Sequence, residues 1–277
     1  MLKNAKPVLL GAAFAAAAWS SATAADLYEP PVYETPPPVY ETPAVEYGGW
    51  YIRGDIDYHW SKFGGADYIT YGPPPGSNSF DFGNFRGALS LGAGVGYKVS
   101  KYFRTDLTAD WMFRSKFTGQ TTGTCAGAPC VSVDESSYSA LLLLANAYAD
   151  LGTYHGVTPY IGAGIGGAHV KWGDLRNTIT TTTTVHRGAS EWRFAWALMA
   201  GASYCLTKNL NLDVGYRYSR ISGGRMFEYA NFGGPGFDKG INVHEVRGGL
   251  RYQFGGSSGC GEKEVVTYDP EPPVVYK

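Results

Sequence analysis

Residues 50–60 read WYIRGDIDYHW. Alternate positions separate into two sets. Trp50, Ile52, Gly54, Ile56, Tyr58 and Trp60 are apolar, aromatic or glycine, whereas Tyr51, Arg53, Asp55, Asp57 and His59 carry polar groups. A period of two is that of a β-strand, whose side chains point to opposite faces in turn. The stretch is about twice the ~5–6 residues of an ordinary soluble strand. Trp50 and Trp60 share one face. At ~3.3 Å per residue and ~45° tilt they stand roughly 23 Å apart, close to the ~25 Å apolar band between the aromatic girdles of a transmembrane barrel.

The same pattern recurs along the chain. In 103–117, Phe103, Leu107, Trp111, Phe113 and Phe117 alternate with Arg104, Asp106, Asp110, Arg114 and Lys116. Further strands are predicted at 85–97, 137–151, 158–172, 192–206, 210–221 and 241–254; the faces of 137–151 and 158–172 do not separate cleanly. Connections 61–83, 118–135, 173–190 and 222–240 are long, and 99–102, 152–157 and 206–209 are short. Long loops at one end and tight turns at the other predict an all-β fold, an eight-stranded antiparallel up-and-down transmembrane barrel with periplasmic turns and extracellular loops. The apolar faces then meet lipid. The polar faces place Arg53, Arg86, Arg104, Arg114, Lys116, Arg193, Arg217, Arg247 and Arg251 in the lumen, with Asp55, Asp57, Asp106, Asp110, Asp150, Asp213 and Glu245. Near-equal numbers of acids and bases suit a paired network, because an unpaired buried charge is prohibitive.

Composition agrees. The 277 residues include 38 Gly and 21 Tyr, carry a net charge of −1, and have a mean hydropathy of −0.19. No uncharged apolar run reaches the ~18 residues of a membrane-spanning helix. The charge balance argues against nucleic acid as a partner. Lys3 and Lys6, the apolar stretch from Pro7 to Trp19 and Ala22-Thr23-Ala24 read as a signal peptide over 1–24. Residues 25–48 are a Pro/Tyr-rich periplasmic linker of polyproline II character, 49–255 the barrel, and 256–277 a Pro-rich periplasmic tail. Four cysteines in an exported chain favour disulfides. Topology pairs Cys125 with Cys130 in one extracellular loop, and Cys205 with Cys260 at the periplasmic rim, six residues past Phe254.

Residues 247–254, RGGLRYQF, resemble the assembly signal of bacterial outer-membrane barrels, its places filled by Arg247, Gly249, Tyr252 and Phe254. With NAYADLG at 146–152, PYIGAGIG at 159–166 and GYRYS at 215–219, the chain resembles the small eight-stranded outer-membrane proteins of alphaproteobacteria, the OmpA-type or opacity-like "porin family", over about 48–255. The resemblance implies a structural or surface protein of the Gram-negative outer membrane. Its partners would be outer-membrane lipid, lipopolysaccharide and the barrel assembly machinery. In some alphaproteobacteria such barrels begin Ala-Asp after cleavage, and an L,D-transpeptidase joins that amine to peptidoglycan. Ala25-Asp26 matches, and at ~3.1 Å per residue the linker behind it would reach roughly 70 Å.

No catalytic chemistry is expected. His59, His155, His169, His186 and His244 are scattered without metal-ligand spacing, and HExxH and P-loop motifs are absent from the sequence. The sequence therefore predicts no enzyme, no metal and no cofactor. The first functional expectation is a structural barrel supporting envelope integrity, tethered through Ala25-Asp26. The alternatives are surface adhesion or ligand binding through loops 61–83 and 222–240, or a narrow low-conductance channel.

Overall fold

The computed structural model describes residues 48–255 apart from 73, 126 and 232. The chain divides into units Met1–Pro43 and Ala44–Lys277, and every described residue lies in the second. The described residues form strands and no helix: β1 (Gly49–Phe63), β2 (Ala66–Thr70), β3 (Gly76–Ser79), β4 (Phe82–Phe85), β5 (Ala88–Lys98), β6 (Phe103–Cys125), β7 (Ala128–Asp150), β8 (Val157–Trp172), β9 (Leu175–Ile179), β10 (Thr182–His186), β11 (Ser190–Cys205), β12 (Leu210–Ile221), β13 (Gly224–Phe227), β14 (Gly233–Asp238) and β15 (Ile241–Gln253).

A ring runs through eight of them, all antiparallel: β1, β5, β6, β7, β8, β11, β12, β15 and back to β1. The closing seam pairs β1 with β15 from Tyr51↔Gln253 to Phe63↔Ile241. Closure removes the exposed edges that would otherwise template aggregation. Tight turns lie at one end. In the turn between β7 and β8, Gly152 and Gly156 hold φ of 98° and 80°, where a side chain would be strained.

The other end departs from the expected open loops. β6 and β7 each run for 23 residues, so most of 118–135 is a two-stranded ribbon closed by the Cys125–Cys130 disulfide. β9 and β10 form a hairpin whose β9 pairs with the outer half of β7, and β4 pairs with β6. β13, β14, β2 and β3 make a separate four-stranded sheet from two connections distant in sequence. Thr121, Thr122 and Thr124, and the threonines of 178–184, are β-branched and suit pleated backbone as readily as loop.

Around the ring the alternation holds. Ile52, Ile56, Leu91, Leu107, Ile165 and Leu198 are exposed, while Arg53, Asp55, Asp57, Arg104, Asp106 and Arg217 are buried. The two ambiguous strands resolve with Leu142, Leu144, Asn146, Tyr148 and Asp150 of β7 and Tyr160, Val170 and Trp172 of β8 inside. Their inner face is itself largely apolar, which is why polarity does not separate it from the outer one.

One expectation is reversed. Between Met112 and Ser115 the β6 register shifts by a bulge, with Phe113 and Arg114 both on the outer face. An extra residue flips every side chain beyond it. Arg114 and Lys116 therefore lie outside and exposed, and Phe117 is buried inside. Arg86, in the break between β4 and β5, is exposed as well, so Arg86, Arg114 and Lys116 take no part in an interior network.

Candidate functional site

The inner wall of the ring has two zones. Towards the tight turns it is ionic. Arg217 donates to Asp110 at 2.7 Å and to Glu245. Arg247 lies within 3.2 Å of Asp55, 3.3 Å of Asp57 and 3.0 Å of Asp110. Arg53 bonds Asp55 at 2.7 Å and Asp106 at 3.2 Å, Arg104 bonds Asp150 at 3.0 Å, and Arg251 bonds Asp213 at 3.0 Å. The Arg104 guanidinium also lies over the rings of Tyr148 and Tyr160, 4.3 and 4.6 Å from their centroids. These pairs link β1, β6, β7, β12 and β15, and each buried charge has opposite charges beside it, which offsets part of its desolvation. Glycine makes the room. A Cβ on Gly249 would meet the Asp55 carboxylate, and one on Gly164 the Asn146 amide.

Towards the long connections the inner wall is aromatic. Phe85 lies 5.3 Å from Phe117, 4.8 Å from Tyr138 and 5.7 Å from Trp172, centroid to centroid, and Phe63 packs 4.9 Å from Phe117. Met112, Leu142, Val170, Ile221 and Ile241 complete this plug. Above it Arg193 donates to Asp238 at 2.7 Å and Trp172 Nε1 to the same carboxylate at 3.2 Å. Arg193 is thus buried as expected, but at the mouth, where it fastens β14 to the barrel rather than joining the lower network.

Over the plug lies a cavity of about 300 Å³, at the lower end of small-molecule sites. Tyr68, Phe80 and Phe227 give it aromatic surface. His186 packs edge-on against Phe227 at 5.0 Å and its Nδ1 lies 3.1 Å from the Glu228 carbonyl oxygen. Asp134 accepts hydrogen bonds from Asn177 Nδ2 at 2.6 Å and Ser132 Oγ at 3.0 Å. Burial pushes its carboxyl above the usual carboxylate range, against those two bonds. Asn78, Thr70 and Thr184 add further donors and acceptors to the walls. Ser132 bonds Asp134 directly and His186 faces a carbonyl, so no base stands between a hydroxyl and an acid as nucleophilic catalysis requires. The lining can hold a polar, uncharged molecule by ring faces, amides and hydroxyls. Sequence reading missed Asp134, Asn177, His186 and Phe227. They sit on four separate short or extended strands that only the loop pairings bring together.

His59 and His169 do not converge. His59 is buried inside, opposite Glu245 in the β1–β15 register, whereas His169 lies on the outer wall with its ring 5.2 Å from Trp192. Among the described residues no group of His, Cys, Asp and Glu is arranged to hold a metal ion. On β15, Arg247 and Gly249 face inwards; Tyr252 and the following Phe254 face outwards at the tight-turn end. Cys205 ends β11 at that same end. Ala25, Asp26 and Cys260 lie outside the described residues.

The family model of the outer membrane protein beta-barrel domain matches residues 8–254. The chain belongs to that family. An uncharacterised protein of Brucella abortus (strain 2308) is 40% identical over 274 residues, covering 85% of this chain and 93% of the relative. A candidate adhesin of Rickettsia canadensis is 29% identical over 133 residues, or 47% of this chain and 58% of that protein. Among solved structures, the outer membrane protein OprG of Pseudomonas aeruginosa aligns with a TM-score of 0.46 and 13% identity, over 75% of this chain and 97% of OprG. The protein is an outer-membrane β-barrel of the kind found in alphaproteobacteria, and it resides in the outer membrane of a Gram-negative cell.

Proposed function

We propose that the protein is a closed outer-membrane barrel that supports the envelope and presents a rigid pocket for an uncharged, saccharide-like surface ligand. Tight turns mark the periplasmic end and long connections the extracellular one. The observation that carries the reading is the pocket built by paired strands, not by free loops, directly over a plugged lumen. Aromatic rings packed edge-on and tilted beside amides and hydroxyls suit the apolar and hydroxylated sides of a sugar ring. The candidate adhesin among the relatives fits this reading. The test is titration of the full chain in nanodiscs with a panel of neutral oligosaccharides. Saturable binding that Asn177→Ala or Phe227→Ala removes supports it; identical titrations for the wild type and both variants overturn it. The same lumen argues against conduction, and large stable openings from pure protein in planar bilayers would remove that part.

The mature N-terminus favours a second role. Ala25-Asp26 and the Pro-rich residues behind it are suited to covalent attachment to peptidoglycan. Muramidase digestion of purified sacculi followed by mass spectrometry should find a muropeptide on the Ala25 amine, lost in Asp26→Ala; a wholly free amine rules the tether out. Arg247, Gly249 and Tyr252 of β15 and the following Phe254 would serve the assembly machinery.

A further inference from the structure

On three strands the outward side chains follow one order as they climb towards the extracellular end. On β1 the row passes Ile56, Tyr58 and Trp60 and ends at Lys62; on β6 it passes Leu107, Trp111 and Phe113 and ends at Arg114 and Lys116; on β8 it passes Ile165 and His169 and ends at Lys171. Apolar, then aromatic, then cationic is the order of chemistry met on leaving a bilayer core for its headgroups.

The cations are densest on one arc. The Arg86 backbone N–H donates to the Lys116 carbonyl, so these two residues are direct cross-strand neighbours. Lys171 opposes Ser139 of β7, and Ser139 lies opposite the bulge that carries Arg114. Arg114 and Lys171 therefore flank one strand, roughly 10 Å apart at ~4.8 Å per strand spacing. All four side chains are exposed, and none forms an ion pair or hydrogen bond with a described residue. Glu135, further up β7, faces outwards with Arg176 of β9 as its cross-strand partner, and exposed Asp174, three residues beyond Lys171, accepts the Gly188 N–H at 3.0 Å. At the same end Arg225 pairs with Glu228, Lys239 with Asp67, and Arg220 bonds Asn242.

We infer that Arg86, Arg114, Lys116 and Lys171 form a binding site for the phosphorylated headgroup of an outer-leaflet glycolipid. Four unpaired cations on one arc are a multivalent anion site, and guanidinium groups match phosphate oxygens bidentately. Their position commits the site to a lipid. The side chains project sideways from the wall, directly above Trp111, Phe113 and His169, where acyl chains end and headgroups begin. The bulge in β6 creates the site, since an unbroken register would bury Arg114 and Lys116 in the lumen. This inference is independent of the pocket over the plug.

The test is titration of the full chain in detergent with diphosphoryl lipid A, read by native mass spectrometry, after unboiled gel mobility has shown each variant folded. Arg86→Gln/Arg114→Gln/Lys116→Gln/Lys171→Gln should bind at least roughly tenfold more weakly than wild type. A charge-matched control, Lys101→Gln/Arg187→Gln/Lys208→Gln/Arg225→Gln, should stay within about twofold, because local geometry and not net charge sets the affinity. Dephosphorylated lipid A should bind wild type as weakly as the quadruple variant binds the phosphorylated form. If the quadruple variant does not fold, Lys116→Gln/Lys171→Gln takes its place, with a smaller loss in the same direction. Unchanged affinity, an equal loss in the control, or displacement of the lipid by millimolar inorganic phosphate would each overturn the site.

Discussion

The two ends of the lumen are filled by opposite chemistry. Near the tight turns, Arg53, Arg104, Arg217, Arg247 and Arg251 interlock with seven carboxylates: Asp55, Asp57, Asp106, Asp110, Asp150, Asp213 and Glu245. Near the mouth that carries the long connections, Phe63, Phe85, Phe117, Tyr138 and Trp172 pack into a plug. The lower zone ties strands distant in sequence by directional bonds, and those bonds fix its register. The upper zone is held by packing, tolerates the β6 bulge, and so can redirect its flanking residues to carry loops and surface chemistry.

The sharpest break of the comparison is in the ionic zone. Arg217→Met leaves buried Glu245 without its cation and takes from Asp110 one of two, Arg247 remaining 3.0 Å away. Loss of one member of a buried ion network costs roughly 3–5 kcal/mol. Urea unfolding in detergent should show it, and adding Glu245→Gln should recover part. A loss below ~1 kcal/mol would mean that water reaches the network and that the lumen is open.

In the aromatic zone the matched test is Phe117→Ala against Lys116→Ala. Phe117 is 1% exposed, and a buried Phe→Ala change costs roughly 3–5 kcal/mol. Its exposed neighbour should change stability by no more than ~0.5 kcal/mol. Reversal of that order would restore the unbroken alternation and erase the bulge.

That pair also marks where the sequence stops being readable. From Trp50 to Trp60 each residue lies on the face that strict alternation assigns. The same rule applied through 103–117 fails only after Phe113, because a bulge has no signature in a pattern of polar and apolar residues: Phe-Arg-Ser-Lys-Phe alternates equally well in either phase. Strands 137–151 and 158–172 are unreadable for a different reason, as Leu142, Leu144 and Val170 face an apolar lumen while Leu141, Leu143 and Ile165 face outwards. The pocket is hidden most deeply. Asp134, Asn177, His186 and Phe227 meet through non-local pairing of short strands whose sequences, rich in Thr and Gly, also read as loop.

The outer wall sharpens the comparison at intermediate cost. Leu107 lies midway along the outward row from Phe103 to Phe113 and is 62% exposed. Leu107→Arg should cost about 2–4 kcal/mol, as a cation at the bilayer midplane does, and Trp111→Arg, nearer the headgroups, nearer ~1 kcal/mol. Folding into vesicles of defined thickness gives both values. Equal costs would mean that the apolar band is not centred where the aromatic rows place it.

The smallest effect is expected at the far tip of the ribbon. Cys125 and Cys130 join the ends of β6 and β7 with Cα atoms 5.7 Å apart, well beyond the ring. Their loop is short, so the bridge removes little unfolded-state entropy, on the order of 2 kcal/mol at most by loop length. That contribution is local. The tip can fray while the paired rows from Phe103↔Ala149 to Met112↔Ala140 stay intact, because no network or plug residue depends on it. Cys125→Ser/Cys130→Ser should therefore leave the urea midpoint of the barrel unchanged within error. Hydrogen exchange of amides near the tip should quicken, and protease should cut there first. The pocket reports the same event independently, since both cysteines line its wall: saccharide affinity should fall modestly while the barrel remains as stable as before. A drop in the global midpoint comparable to that of Phe117→Ala would show that ribbon and plug unfold as one unit, and that the mouth is no softer than the base.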